Sequence, residues 1–128
     1  MSIRIVCLGT ARPPGEGVRI GTVRRPPRGV LKSEHASRDY YDAWLPDLSP
    51  SPELMKLGKA VENDENWDVF AKKYRAEMAV PERARLLDLL AALSHGADFS
   101  VGCYCAEESR CHRSVLRGLL ADRGADLR

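Results

Sequence analysis

Residues 98–121 read Asp98-Phe99-Ser100-Val101-Gly102-Cys103-Tyr104-Cys105-Ala106-Glu107-Glu108-Ser109-Arg110-Cys111-His112-Arg113-Ser114-Val115-Leu116-Arg117-Gly118-Leu119-Leu120-Ala121. The run from Asp98 to Cys105 reads as a buried strand, and the run from Ser114 to Ala121 as an amphipathic helix. A strand feeding a helix through a short turn is the unit of an open α/β sheet, whose ligands sit at the carboxyl ends of the strands. The fold class expected is therefore α/β: a single domain over residues 1–128 with a small, mostly parallel sheet flanked by helices, the helices lying on both faces. Between strand and helix, residues 103–113 hold three of the four cysteines, one of the three histidines, two arginines and two glutamates. Reactive side chains thus collect where a site belongs, although the pattern names no reaction.

Working outward, Ser2 to Gly9 alternates around Ile3, Ile5 and Cys7 and predicts an opening strand. Thr10–Gly17 is a loop, with Pro13, Pro14 and two glycines. Val18–Val23 is expected to be a short strand, and Arg24-Arg25-Pro26-Pro27-Arg28-Gly29 a stiff basic turn, since proline fixes φ and removes a donor. Residues 39–48 suit a short β segment that turns at Pro46. Ser51 and Pro52 open a helix as cap and first residue, with Leu54, Leu57 and Val61 following at helical spacing. A second helix starts near Asp64, with Trp67, Phe70, Ala71, Tyr74 and Met78 on one stripe that reads as core packing. A third starts at Pro81, turns Leu86, Leu89, Leu90 and Leu93 inward, and stops at Ser94-His95-Gly96. Gly124 stops the last helix.

The chain has 128 residues, 44% hydrophobic and 30% charged, which is ordinary for a globular domain with a real core. A net charge of +2 is too small to argue for nucleic-acid or membrane partners. Residues 12–38 are locally basic, with Arg12, Arg19, Arg24, Arg25, Arg28, Lys32 and Arg38 against Glu16 and Glu34. The plain reading is a solvated basic loop; the sharper one is a stretch that meets an anion. No signal peptide or apolar run of membrane length is recognised, so a cytoplasmic location is expected. Four cysteines in that compartment are thiols, ligands or redox groups before they are structural disulfides.

Several stretches together resemble the YeaO-like family, a bacterial domain-of-unknown-function group (family 488). Arg25-Pro26-Pro27-Arg28-Gly29 resembles its Arg-Leu-Trp-Pro-Arg-Gly element, with Pro26 and Pro27 departing from it. Asp42-Ala43-Trp44-Leu45-Pro46-Asp47-Leu48-Ser49-Pro50-Ser51 resembles its Asp-x-Trp-Leu-x-Asp-x-x-Pro-Ser. Glu53-Leu54 and Trp67-x-x-Phe70-x-x-x-Tyr74-x-x-Glu77 continue the agreement. Cys105-Ala106-Glu107 followed by Cys111-His112-Arg113 resembles the Cys-x-Glu…Cys-His-Arg ending of part of the family, with a short spacer here. The resemblance covers residues 3 to 120 and implies an α/β fold with a small sheet flanked by helices. It implies no established activity.

Three chemistries compete for the turn. The first is ligand capture. Free backbone N–H groups at a helix start suit a phosphate or carboxylate. Arg113 adds a clamp, Arg28 arrives from the basic turn, and Glu107 orients an arginine or accepts from a sugar hydroxyl or base edge. The partner is then a small anionic or nucleotide-like ligand; no Gly-rich phosphate loop is present. The competing view is that Glu107 or Asp42 simply pairs with an arginine to hold the fold. The second chemistry is thiol-based. If Ser109 caps the last helix, Cys111 falls in its first turn, where partial positive charge favours thiolate, with Cys105 as resolving partner. The third is a metal held by Cys103, Cys105, Cys111 and His112. Adjacent helical residues diverge by ~100°, which argues against Cys111 and His112 sharing an ion. No metal and no cofactor is therefore assigned.

The candidate catalytic residues are Cys111, His112 and Glu107, and the candidate ligand-binding residues are Cys105, Arg113, Arg28 and Asp42. His112 shares the inward stripe of Val115, Leu116 and Leu119, which favours a buried, hydrogen-bonded imidazole over a catalytic base. Tyr40, Asp42, Trp44 and Asp47 are either a wall of the same pocket or a packed aromatic with capping aspartates. The leading expectation is a small-ligand site at the turn, open to enzymatic use. The alternative is a non-enzymatic interaction or thiol-sensing module in which Cys111 pairs with Cys105.

Overall fold

Strand β4 (Phe99–Cys103) comes last in sequence yet sits inside the sheet, and every one of its residues is buried. β1 (Ile3–Cys7) pairs with one edge of it and β2 (Val18–Gly21) with the other, while β3 (Ala43–Trp44) extends the sheet beyond β2. The order is β1-β4-β2-β3 and all pairings are parallel. The structure, a computed structural model, describes residues 1–128. The helices are α1 (Pro52–Lys59), α2 (Asp64–Met78), α3 (Pro81–Leu93) and α4 (His112–Asp122).

Local chemistry explains the helix starts. Ser51 Oγ accepts from the Leu54 N–H at 3.2 Å and Pro52 takes the first helical position. Asn63 Oδ1 accepts from the Asn66 N–H at 2.8 Å to start α2. Pro81 opens α3 without a side-chain cap. On α3 the inward residues are Leu87, Leu90 and Ala91, whereas Leu89 and Leu93 are exposed, so the apolar stripe is rotated from the expected one.

The register decides which side chains share a face. Ile3 lies beside Phe99, Ile5 beside Val101 and Cys7 beside Cys103, with Val18 and Ile20 aligned on the far side of β4. Since strand side chains alternate, Ile3, Ile5, Ile20, Phe99 and Val101 point one way. They meet apolar residues from all four helices in a single core: Leu54 of α1, Phe70, Tyr74 and Met78 of α2, Leu87 and Leu90 of α3, and Leu116 and Leu120 of α4. Helices therefore cover one face only, which corrects the expectation of helices on both.

The opposite face, carrying Arg19, Gly21, Ser100 and Gly102, is closed by loops. A Cβ on Gly21 would lie 2.4 Å from the Tyr41 ring, and one on Gly102 would lie 2.6 Å from the Val6 carbonyl oxygen and 2.9 Å from Leu8. The missing side chains let the loops settle directly on the strands. Arg19 lies fully buried among them. Its Nε and Nη2 donate to the two Glu16 carboxylate oxygens, each at 2.8 Å. Its Nη1 donates to the Thr10 carbonyl at 2.8 Å and the Asp39 carbonyl at 2.7 Å. Ser100 Oγ on β4 also donates to Glu16, at 2.9 Å. The basic stretch is thus not a solvated loop throughout. Arg12 clasps Asp42, and Arg24 donates to the Ser49 and Pro50 carbonyls.

Removing one partner of a buried ion pair strands the other in a medium that cannot solvate it. Arg19→Met should lower the unfolding free energy by about 3–5 kcal/mol, read as a lower urea midpoint at unchanged slope. Burial pushes the Glu16 carboxyl up, but the hydrogen bonds from Arg19 and Ser100 and the Arg19 charge outweigh it and hold the group below its ordinary value. A depressed acid contributes stability above its unfolded pKa, about 4.3, and loses it as pH falls through the folded value. Glu16→Gln should accordingly flatten the acid limb of a plot of stability against pH.

Candidate functional site

Cys103 ends β4 at the carboxyl rim of the sheet, and the chain then loops outward before α4 begins at His112. Two ion pairs fix the loop. Arg117 Nε and Nη2 donate to Glu108 at 2.6 and 2.9 Å, and Arg110 Nη2 donates to Asp64 of α2 at 2.6 Å. The cap of α4 is Cys111 and not Ser109, and no side chain caps the helix. Cys111 is extended, with φ −121° and ψ 152°. The ~100° divergence of neighbouring residues holds only where both are helical. Here the Cys111 sulfur turns inward, 2.7 Å from Cys103 Sγ and 3.7 Å from His112 Nδ1. The sulfur touching Cys111 is therefore that of Cys103, not the expected Cys105.

His112 lies beneath the turn. Its Nε2 sits 2.9 Å from the Thr22 carbonyl oxygen, and its ring meets Tyr74 edge-on with centroids 5.6 Å apart. Burial pushes its pKa down to about 4, so the ring is neutral at physiological pH. Nε2 then donates to Thr22 and Nδ1 keeps its lone pair toward the sulfurs. Cys105 is exposed where Cys103 and Cys111 are buried. The neighbouring Cys103 and Cys111 thiols, reinforced by the charge of Arg113, push the Cys105 thiol down. The same neighbourhood pushes Cys103 up. Arg113 is 3% exposed; its Nη2 donates to the Cys105 carbonyl oxygen at 2.5 Å and its Nε has no partner.

Cys103, Cys105, Cys111, His112 and Arg113 thus gather at one strand-to-helix turn. Cys103, Cys111 and His112 are buried with donor atoms within 4.8 Å of one another, and are the residues able to hold a metal. Glu107 is exposed on the same turn and makes no side-chain hydrogen bond; its neighbour Glu108 holds the arginine. Asp42 is not brought to the turn. It precedes β3, takes two hydrogen bonds from Arg12 at 2.6 and 3.1 Å and one from the Arg19 N–H at 2.8 Å, and is held below its ordinary pKa first by Arg12. Trp44 is half-exposed on the edge strand, its Nε1 donating to the Val23 carbonyl at 2.7 Å.

Arg28 lies in a hollow of about 330 Å³ lined by Arg25, Pro26, Pro27, Arg28, Tyr40 and Tyr104. Tyr104 OH donates to the Arg25 carbonyl at 2.8 Å and its ring meets Tyr40 edge-on, which pins the basic turn against the residue that follows β4. Thr22 and Tyr104 are absent from the sequence-derived site, whereas Tyr40 stands there as one alternative wall of the pocket. Tyr104, flanked by two cysteines, carries a local signal; Thr22 arrives through long-range packing.

A family model described as "Active DUF488-N3 subclade" matches residues 3–124. The chain belongs to this domain-of-unknown-function 488 family, as the YeaO-like resemblance led one to expect. No curated protein and no solved structure matches the chain.

The buried and exposed members of the turn should respond differently to substitution. His112→Ala removes a packed ring and its bond to Thr22 and should cost about 2–4 kcal/mol. Glu108→Gln breaks a partly exposed pair and should cost about 0–1 kcal/mol. Urea unfolding of both variants checks the contrast.

Proposed function

We propose that this protein binds a small anionic or nucleotide-like ligand at the carboxyl rim of its sheet, in the hollow between the basic turn and the β4–α4 turn. The observation that carries the reading is a pair of exposed guanidinium side chains, Arg25 and Arg28, that share one hollow with two tyrosines and have no carboxylate partner. Both cations line the one hollow, where an anion can meet the two charges together. Tyr40 and Tyr104 offer ring faces to a flat group such as a base. A larger hollow, about 450 Å³, lies between α1 and α2, but its Glu77 is already engaged by the Ser51 N–H and hydroxyl.

Were the site catalytic, Cys105 is the accessible thiol and Glu107 the accessible carboxylate, with Cys111 and His112 beneath them. One further observation favours a second reading, a thiol module: the Cys103 and Cys111 sulfurs are in contact. A mild oxidant that accepts two hydrogens would then remove two of the four thiols from the native protein. A count that stays at four dismisses that use.

Calorimetric titration with inorganic phosphate and with a nucleoside monophosphate tests the ligand reading. Binding should weaken as salt rises, and Arg25→Ala with Arg28→Ala should reduce it by about tenfold or more. Tyr104→Phe, which frees the basic turn but keeps the ring, should weaken both ligands alike, whereas Tyr104→Ala should weaken the nucleotide more than phosphate. Equal affinity in the double arginine variant, or no heat with either ligand, sinks the proposal.

A further inference from the structure

We infer that Cys103, Cys111 and His112 form a binding site for a thiophilic divalent ion of the zinc type, with Cys105 closing the fourth position from the solvent side. The three inner donors sit on fixed elements: the end of β4, the cap of α4 and its first residue. All are buried and their donor atoms lie within 4.8 Å of one another. Zinc takes four ligands in a tetrahedron, with Zn–S near ~2.3 Å, which spaces two bound sulfurs by about 3.8 Å. The Cys103–Cys111 separation of 2.7 Å must open by about an ångström for an ion to enter. Cys111 is an extended cap residue with no capping bond to lose when its sulfur shifts.

Two independent observations point to the same ligand. His112 is fixed by its second ring nitrogen on a backbone carbonyl, Thr22, at 2.9 Å. Metal-binding histidines are oriented in this way, and Nδ1 is the nitrogen left facing the sulfurs. The second is Arg113, 3% exposed with an Nε that finds no acceptor. A buried cation with an orphan donor calls for an anionic neighbour. Three thiolates around a divalent ion carry a net charge of −1, which Arg113 offsets; the thiol protons leave to solvent.

The ion site stands apart from the capture of an anion, which falls to Arg25 and Arg28. The test is titration of the full chain, under a non-thiol reductant, with Co²⁺ followed by Zn²⁺. The expected result is one ion per chain, with the intense visible bands of tetrahedral cobalt and thiolate-to-cobalt charge transfer, both erased by zinc. Cys103→Ser and Cys111→Ser should each weaken binding at least a hundredfold. Cys105→Ser, at an exposed position where folding is not at risk, should weaken it about tenfold and reduce the charge-transfer intensity. The Arg25→Ala, Arg28→Ala double variant should lose phosphate binding while its cobalt spectrum stays intact, so the ion site and ligand capture fail separately. The inference is overturned if the reduced wild-type chain takes up less than one ion at micromolar zinc, if its cobalt spectrum lacks thiolate bands, or if Cys105→Ser leaves the spectrum unaltered.

Discussion

The guanidinium of Arg19 closes the helix-free face of the sheet. It is fully buried, donates to both oxygens of Glu16, and with its remaining arm holds the carbonyls of Thr10 and Asp39. Those acceptors belong to the two long connections, β1 to β2 and β2 to β3. One side chain on a central strand therefore gathers the loops that would otherwise leave the sheet open to water. A hydrophobic residue in its place could cover area but could not satisfy loop carbonyls, which carry no side-chain specificity of their own. The ion pair is better understood as a device for fixing where the loops lie than as a source of net stability.

That arrangement places the functional end of the molecule. The β2–β3 connection contains Arg25, Arg28 and Tyr40, and Arg19 ties its far end, Asp39, to the sheet. Tyr104 ties its near end through the Arg25 carbonyl. The basic turn is thereby held beside the residue that follows β4. Beneath, the helix-covered face supplies His112 and Tyr74, so the rim has an apolar floor and a charged lip.

The sequence makes the starts of α1 and α3 legible, because a Ser cap and a first-turn proline act within four residues. The α/β class was legible for a similar reason, from the strand–turn–helix run at residues 98–121. The cap of α4 was hidden: Cys111 ends the loop by backbone geometry alone, with no side-chain bond to betray it. The same hidden cap concealed how Cys111 and His112 converge on Cys103. Glu16 and Arg19 are three apart, a spacing equally at home in a solvated loop, and it is Gly21 and Gly102 on the same face that mark where loops press close. Asp42 looked like a pocket carboxylate because nothing local reveals its clasp on Arg12, thirty residues earlier.

The position of β4 sets an order of events in the making of this protein. β1 and β2 are not neighbours; each waits for the same partner, and Ile3 meets Phe99 only when residues almost a hundred positions later are available. A nascent chain holds two unpaired strand edges until β4 appears, so closing the sheet is a non-local step. The segment that completes the sheet also brings Cys103, Cys105, Cys111 and His112. Before that moment neither the reactive turn nor the frame that holds it exists, and a half-made chain has no partial site to misfire.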